Sequence, residues 1–189
     1  MRLIKYTLLD IINRSTYMTQ YFDLGNHSFP ISTVSVEAQR WFDRGLTWCY
    51  GFNHEEAIRC FQNTITEDPN CAMGYWGIAY AKGPFYNKPW GYYGQVERGP
   101  TIKTCHEACQ KALQLSSNNI PLEQKLIQAL GQKFPNDPFA TIEKLEQAEH
   151  RYALTMREVL KDFPQHLDII TLTAEALMNL NRWQLWDIR

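Results

Sequence analysis

The chain has 189 residues, 44% hydrophobic and 21% charged, so it is long enough to bury one core and too apolar to be disordered throughout. Its formal net charge of -1 and the lack of a dense Lys/Arg cluster argue against a nucleic-acid surface, which needs a basic patch. No run approaches the ~20 apolar residues that cross a bilayer, and the odd set of cysteines, Cys49, Cys60, Cys71, Cys105 and Cys109, suits reduced buried thiols and a cytoplasmic setting.

In chain order, the first residues are interrupted by Lys5 and Asp10, which speaks against a cleaved signal peptide. Leu3, Ile4, Leu8, Ile11 and Ile12 share one helical face, compatible with a short surface helix or with an incidental extension, and Met18 offers an alternative start. With Gly25, Asn26 and Pro30 in an aperiodic stretch, residues 1–34 read as an extension followed by an irregular lead-in. Ser35 then caps a helix.

Counted from Ala38 as 1, Trp41, Gly45, Trp48, Ala57, Phe61 and Pro69 fall at positions 4, 8, 11, 20, 24 and 32. This is the tetratricopeptide pattern of helix, turn, helix and stop, in which small residues sit at a helix crossing and aromatic ones fill the space around it. Asn53 with Glu56 forms a capping box for the second helix, and Asp68-Pro69 ends it. Thirty-four residues on, Tyr75, Trp76 and Ala79 occupy the places of Trp41, Phe42 and Gly45.

That second unit leaves the pattern after Gly83. The stretch GPFYNKPWGYYGQVERGP precedes a helical register that resumes near Thr101, an insertion over 84–100. A third pair follows, with Pro121 in a first helical turn, Leu122, Leu126, Ile127 and Leu130 as its stripe, a break at Asn136-Asp137-Pro138, and Leu145, Ala148, Tyr152, Val159 and Leu160 inward on its partner. A further helix from about Leu167 lacks room for a partner before Arg189. Its apolar face implies a cap, self-association through that end, or a longer full-length protein, and the last is preferred. The expected fold is all-α, a right-handed solenoid of antiparallel helix pairs with repeats at about 38–71, 72–115, 120–163 and a partial one at 166–189.

The blocks YFDLG, WFDRGLTWCYGFNHEEAIRCF, AMGYWGIAYAKGPFYNKPW and AEALMNLNRWQLWD together resemble a family of uncharacterised tetratricopeptide proteins of bacteria and fungi, whose members are longer. The resemblance implies a cytoplasmic all-helical scaffold without an assigned activity. In the tetratricopeptide fold the first helix of each pair lines a concave face. Here that would present Gln39, Phe42, Leu46, Cys49 and Tyr50, then Met73, Trp76, Tyr80 and Gly83. With Phe42 and Leu46 where carboxylate-clamping members carry Lys and Asn, the expected partner is an apolar protein or peptide segment anchored on Phe42, Leu46, Tyr50, Trp76 and Tyr80.

The rival expectation is a small-molecule or enzymatic pocket closed by the aromatic insertion, with Phe85, Tyr86, Asn87, Lys88 and Trp90 at its lid. The blander reading makes that insertion a plug and fills the groove as core. Cys105, His106 and Cys109 have two ligand-spaced thiols but no second pair, and Cys49 with His54 has no orienting third group. Catalysis, cofactor and metal are therefore not expected.

Overall fold

The computed structural model describes residues 22–184 and residue 186; the apolar face of residues 3–12 lies outside them. Among the described residues, seven α-helices carry the fold: α1 Val36–Tyr50, α2 His54–Glu67, α3 Ala72–Lys82, α4 Gln95–Leu115, α5 Pro121–Gly131, α6 Ile142–Asp162 and α7 Leu167–Met178. Short 3-10 turns stand at Trp90–Tyr92, Ser116–Asn118 and Asn179–Asn181. Among the described residues there is no strand, only an isolated bridge between Phe85 and Lys88.

Helix starts follow side-chain chemistry. Ser35 accepts a hydrogen bond from the Ala38 N–H, Asn53 from that of Glu56, and Thr141 from that of Lys144, each satisfying a donor the helix leaves free. The expected box at Asn53 is half made, because the Glu56 carboxylate turns to Arg59 at 2.9 Å. Pro121 opens α5, where a missing N–H costs nothing. α4 begins at Gln95 rather than near Thr101, since Pro100 lies within its exposed first turns and its fixed φ suits a helix. The part of the insertion outside α-helix is thus 84–94, with the 3-10 turn Trp90–Tyr92 inside it.

Consecutive helices pack on one another from α1 to α7, and α1, α3 and α5 also touch in a row. The tightest point is Phe61 on α2. A Cβ added at Gly45 of α1 would lie 2.6 Å from its ring, and one at Gly77 of α3 only 2.4 Å, so a single phenyl group occupies the space that two glycines leave. Ala57 and Phe61 are fully buried as the repeat pattern requires. Trp41 and Trp48 differ from expectation in being half-buried: Arg44 lies over Trp41, while Trp48 packs against the core and meets Phe22 edge-on. Pro69 is exposed beyond the end of α2. Among the described residues, no helix is long and apolar enough to cross a membrane.

Candidate functional site

The five residues expected to line an open groove are not an open groove. Phe42, Leu46 and Trp76 are 0%, 1% and 2% exposed, Tyr80 is buried, and Tyr50 is half-buried. The lead-in covers part of this face, meeting Phe42 and Tyr50. Phe29 packs its ring 6.0 Å from that of Phe42, and Ile31 is buried beside it.

This strap is held by polar clasps on α1. The Phe29 N–H donates to Asp43 at 2.9 Å, the Ile31 N–H donates to Gln39 Oε1 at 2.9 Å, and Gln39 Nε2 donates to the Phe29 carbonyl at 2.8 Å. Further along, Ser32 donates from both backbone and hydroxyl to Glu123 of α5, at 2.6 and 3.0 Å. Burial pushes the Asp43 and Glu123 carboxyls up, and the hydrogen bonds from the strap pull the other way. Trp76 stacks on Tyr80 at 5.0 Å and donates to the Leu126 carbonyl at 3.3 Å, which ties α3 to α5.

The end of this face next to α7 is built differently. The Tyr50 hydroxyl donates to Asp168 at 2.8 Å, and His27 Nε2 lies 3.1 Å from the same carboxylate. One face of α7 carries Asp168, Leu172, Glu175, Ala176 and then Asn179, so two carboxylates interrupt an otherwise apolar stripe. Glu175 lies deep, and burial is the first cause that pushes its carboxyl up, with Lys133 opposing. Part of its surface nevertheless stays accessible. Its Oε2 atom is itself sealed from solvent, so the accessible part lies elsewhere on the residue.

Glu175 in turn, after burial, is the leading charge that raises the Tyr80 and Tyr152 hydroxyls and the Cys49 thiol. Asn179 donates to one Glu175 oxygen. Nearby, Arg182 makes a two-pronged pair with Glu149 at 2.8 and 3.3 Å, and Lys133, 1% exposed, donates to the Pro84 carbonyl at 2.9 Å with its charge 5.3 Å from the Tyr152 ring. Asp168, Glu175, Lys133 and Arg182 were not singled out from the sequence, although charged residues inside the apolar stripe of α7 were a visible signal; Glu149, which its acidic run assigns to a solvated helix face, is instead buried.

The insertion fastens elements together. Trp90 is buried against Tyr93 and Phe134, Phe85 stacks on His54 at 3.9 Å, and Tyr86 accepts a hydrogen bond from the Trp183 N–H at 2.7 Å. Asn87 is exposed. Of the expected lid residues, only Phe85 and Lys88 line a cleft, about 670 Å³ in volume, which they share with Phe52, His54, Lys82, Tyr93 and Glu97. Lys88 pairs with Glu97 at 2.6 Å and lies over the Tyr93 ring. Burial, reinforced by Lys133, lowers His54 to about 4, so its imidazole is neutral near pH 7. Phe52 holds its ring at the rim of this cleft, more than half exposed, with φ at 60°, a conformation that bulky residues seldom adopt.

All five cysteines are buried free thiols. Burial pushes Cys60 and Cys71 up to about 11 and Cys105 to about 12, and raises Cys49 and Cys109 further, so each holds its proton and is a poor nucleophile. His106 faces the Phe134 carbonyl at 3.0 Å, away from any pairing with Cys105 and Cys109 as ligands. No metal-binding group of three or more His, Cys, Asp or Glu occurs among the described residues. Comparisons with protein families, with characterised proteins and with solved structures find no match for this chain.

Proposed function

We propose that the chain is a non-catalytic, tetratricopeptide-like interaction scaffold, and that its partner meets the odd-helix side near α7 rather than the whole length of an open groove. The observation that carries this reading is the contact pattern. α1, α3 and α5 touch in a row, whereas α2 and α4, or α4 and α6, form no comparable contact among the described residues. A stack whose odd helices converge and whose even helices splay curves with the odd side inward, as in a right-handed helical-repeat solenoid.

On that inner side the strap fills the apolar stretch, and the surface left to a partner is the half-buried Tyr50 and Glu175 with the exposed flank of α7 around Thr171. Buried protonated thiols support a non-catalytic role, because a thiolate nucleophile needs the opposite environment. A second reading rests on the His54–Phe85–Lys88 cleft, whose size and mixed lining suit a small ligand.

Site-specific photo-crosslinking in native extract separates the two. A crosslinker at exposed Thr171 on α7 should capture one discrete protein partner, and the same group at exposed Glu107 on α4 should not. Equal capture from both positions, or none from Thr171, would count against the scaffold.

A further inference from the structure

The cleft bordered by the α1–α2 turn, the end of α3 and the insertion has a volume of about 670 Å³, within the ~300–1,000 Å³ of small-molecule sites. Most of its charge is answered on the spot. Lys88 is paired with Glu97, His54 is neutral near pH 7, and Glu55 is exposed to water. Lys82, in the last turn of α3, lines the same cleft and is half-buried, yet it forms no ion pair or side-chain hydrogen bond among the described residues. A cation that has lost part of its hydration without gaining a counter-charge favours the entry of an anion.

The opposite wall is aromatic. Phe52 and Phe85 flank the His54 ring, with centroids 6.5 and 3.9 Å from it. Phe52 is 58% exposed and holds the left-handed φ of 60°, although Gly51 beside it, which would adopt that conformation without strain, keeps φ at -83°. The strained position of this turn therefore carries a ring that the structure leaves mostly in water. Backbone strain of this kind gathers at ligand clamps, where the side chain it aims has work to do once a ligand arrives.

We propose that the cleft binds a small aromatic carboxylate, whose ring lies against Phe52 and Phe85 and whose carboxylate pairs with the Lys82 ammonium. This ligand class rests on the cleft reading, and the scaffold reading does not depend on it.

Ligand-detected NMR titration of the full chain with indole-3-acetate tests the site, beside indole-3-acetamide as the uncharged counterpart and cyclohexylacetate as the non-aromatic one. Saturable binding of indole-3-acetate is expected, at least fivefold tighter than that of either counterpart. It should weaken at least fivefold in Lys82→Gln and in Phe52→Gly, and stay unchanged in Lys144→Gln, which alters an exposed lysine on α6. Because glycine suits the φ of residue 52, Phe52→Gly should match or exceed the wild-type melting temperature, which separates lost binding from lost fold.

No saturable binding of any of the three probes, or binding indifferent to both Lys82→Gln and Phe52→Gly, overturns the proposal and the cleft reading together. Binding of the amide or of cyclohexylacetate as tight as that of indole-3-acetate, and weakened by Phe52→Gly, overturns the aromatic carboxylate while the cleft reading stands.

Discussion

Two ends of one helical face follow opposite rules. Under the strap, Phe29 and Ile31 exchange backbone hydrogen bonds with Gln39 and Asp43, and aromatic rings fill the remaining volume. Beside α7, ring edges give way to carboxylates, and Tyr152, Glu175 and Asn179 retain unpartnered atoms among the described residues. The first end has what a stable core needs. The second forgoes stability that an apolar side chain would have supplied, as the proposed partner surface near α7 would require.

That contrast can be broken most severely at Phe29. Replacing it by Ala should cost ~3–5 kcal/mol in urea denaturation, because a fully buried ring leaves a cavity beneath a strap too short to collapse. Next, Asp43→Ala should cost ~1–3 kcal/mol, since the Phe29 N–H and the Gln39 amide lose their acceptor. A value near zero for either would show that the strap merely lies on α1.

The insertion side sharpens the comparison through pH. Between about 6.5 and about 4 the unfolded chain protonates His54 while the folded chain does not, so stability should fall as pH drops through that window. His54→Asn should flatten this part of the stability curve, measured by thermal melts at several pH values. Smallest of all should be Glu175→Gln, with a change under ~1 kcal/mol, directed toward stability at neutral pH. The folded-state carboxyl of Glu175 is raised, so its ionised form is penalised at neutral pH and the advantage of Gln disappears as the pH falls and wild-type Glu175 protonates. A large loss instead would make the acid structural and erase the distinction between the two ends.

Most of the helical frame was legible in the sequence. Ser35, Asn53 and Pro121 mark helix starts by local chemistry, and the spacing of Gly45, Ala57 and Phe61 places the first crossing. The strap was not legible, because Phe29 and Ile31 lie in an aperiodic segment whose position depends on Gln39, Asp43 and, far along the chain, Glu123. Position numbers alone assigned Phe42, Leu46 and Trp76 to a groove, but they cannot say whether another part of the chain occupies it. The acidic stripe of α7 was half legible: Asp168 and Glu175 stand seven residues apart on one helical face, and only the fold brings Tyr80 and Tyr152 within reach of the Glu175 charge. Trp90 shows the same limit, since its burial depends on Phe134.

The ring of Phe61, lodged between Gly45 and Gly77, has a consequence for how the molecule opens. Neither of the first two helix pairs can separate from the other without exposing the same phenyl group, so they share one cooperative unfolding event instead of fraying pair by pair. Native-state amide hydrogen exchange should therefore give α1, α2 and α3 a common opening free energy. Isotherms that diverge between α1 and α3 at low denaturant would show that the shared ring does not bind the two pairs into one unit.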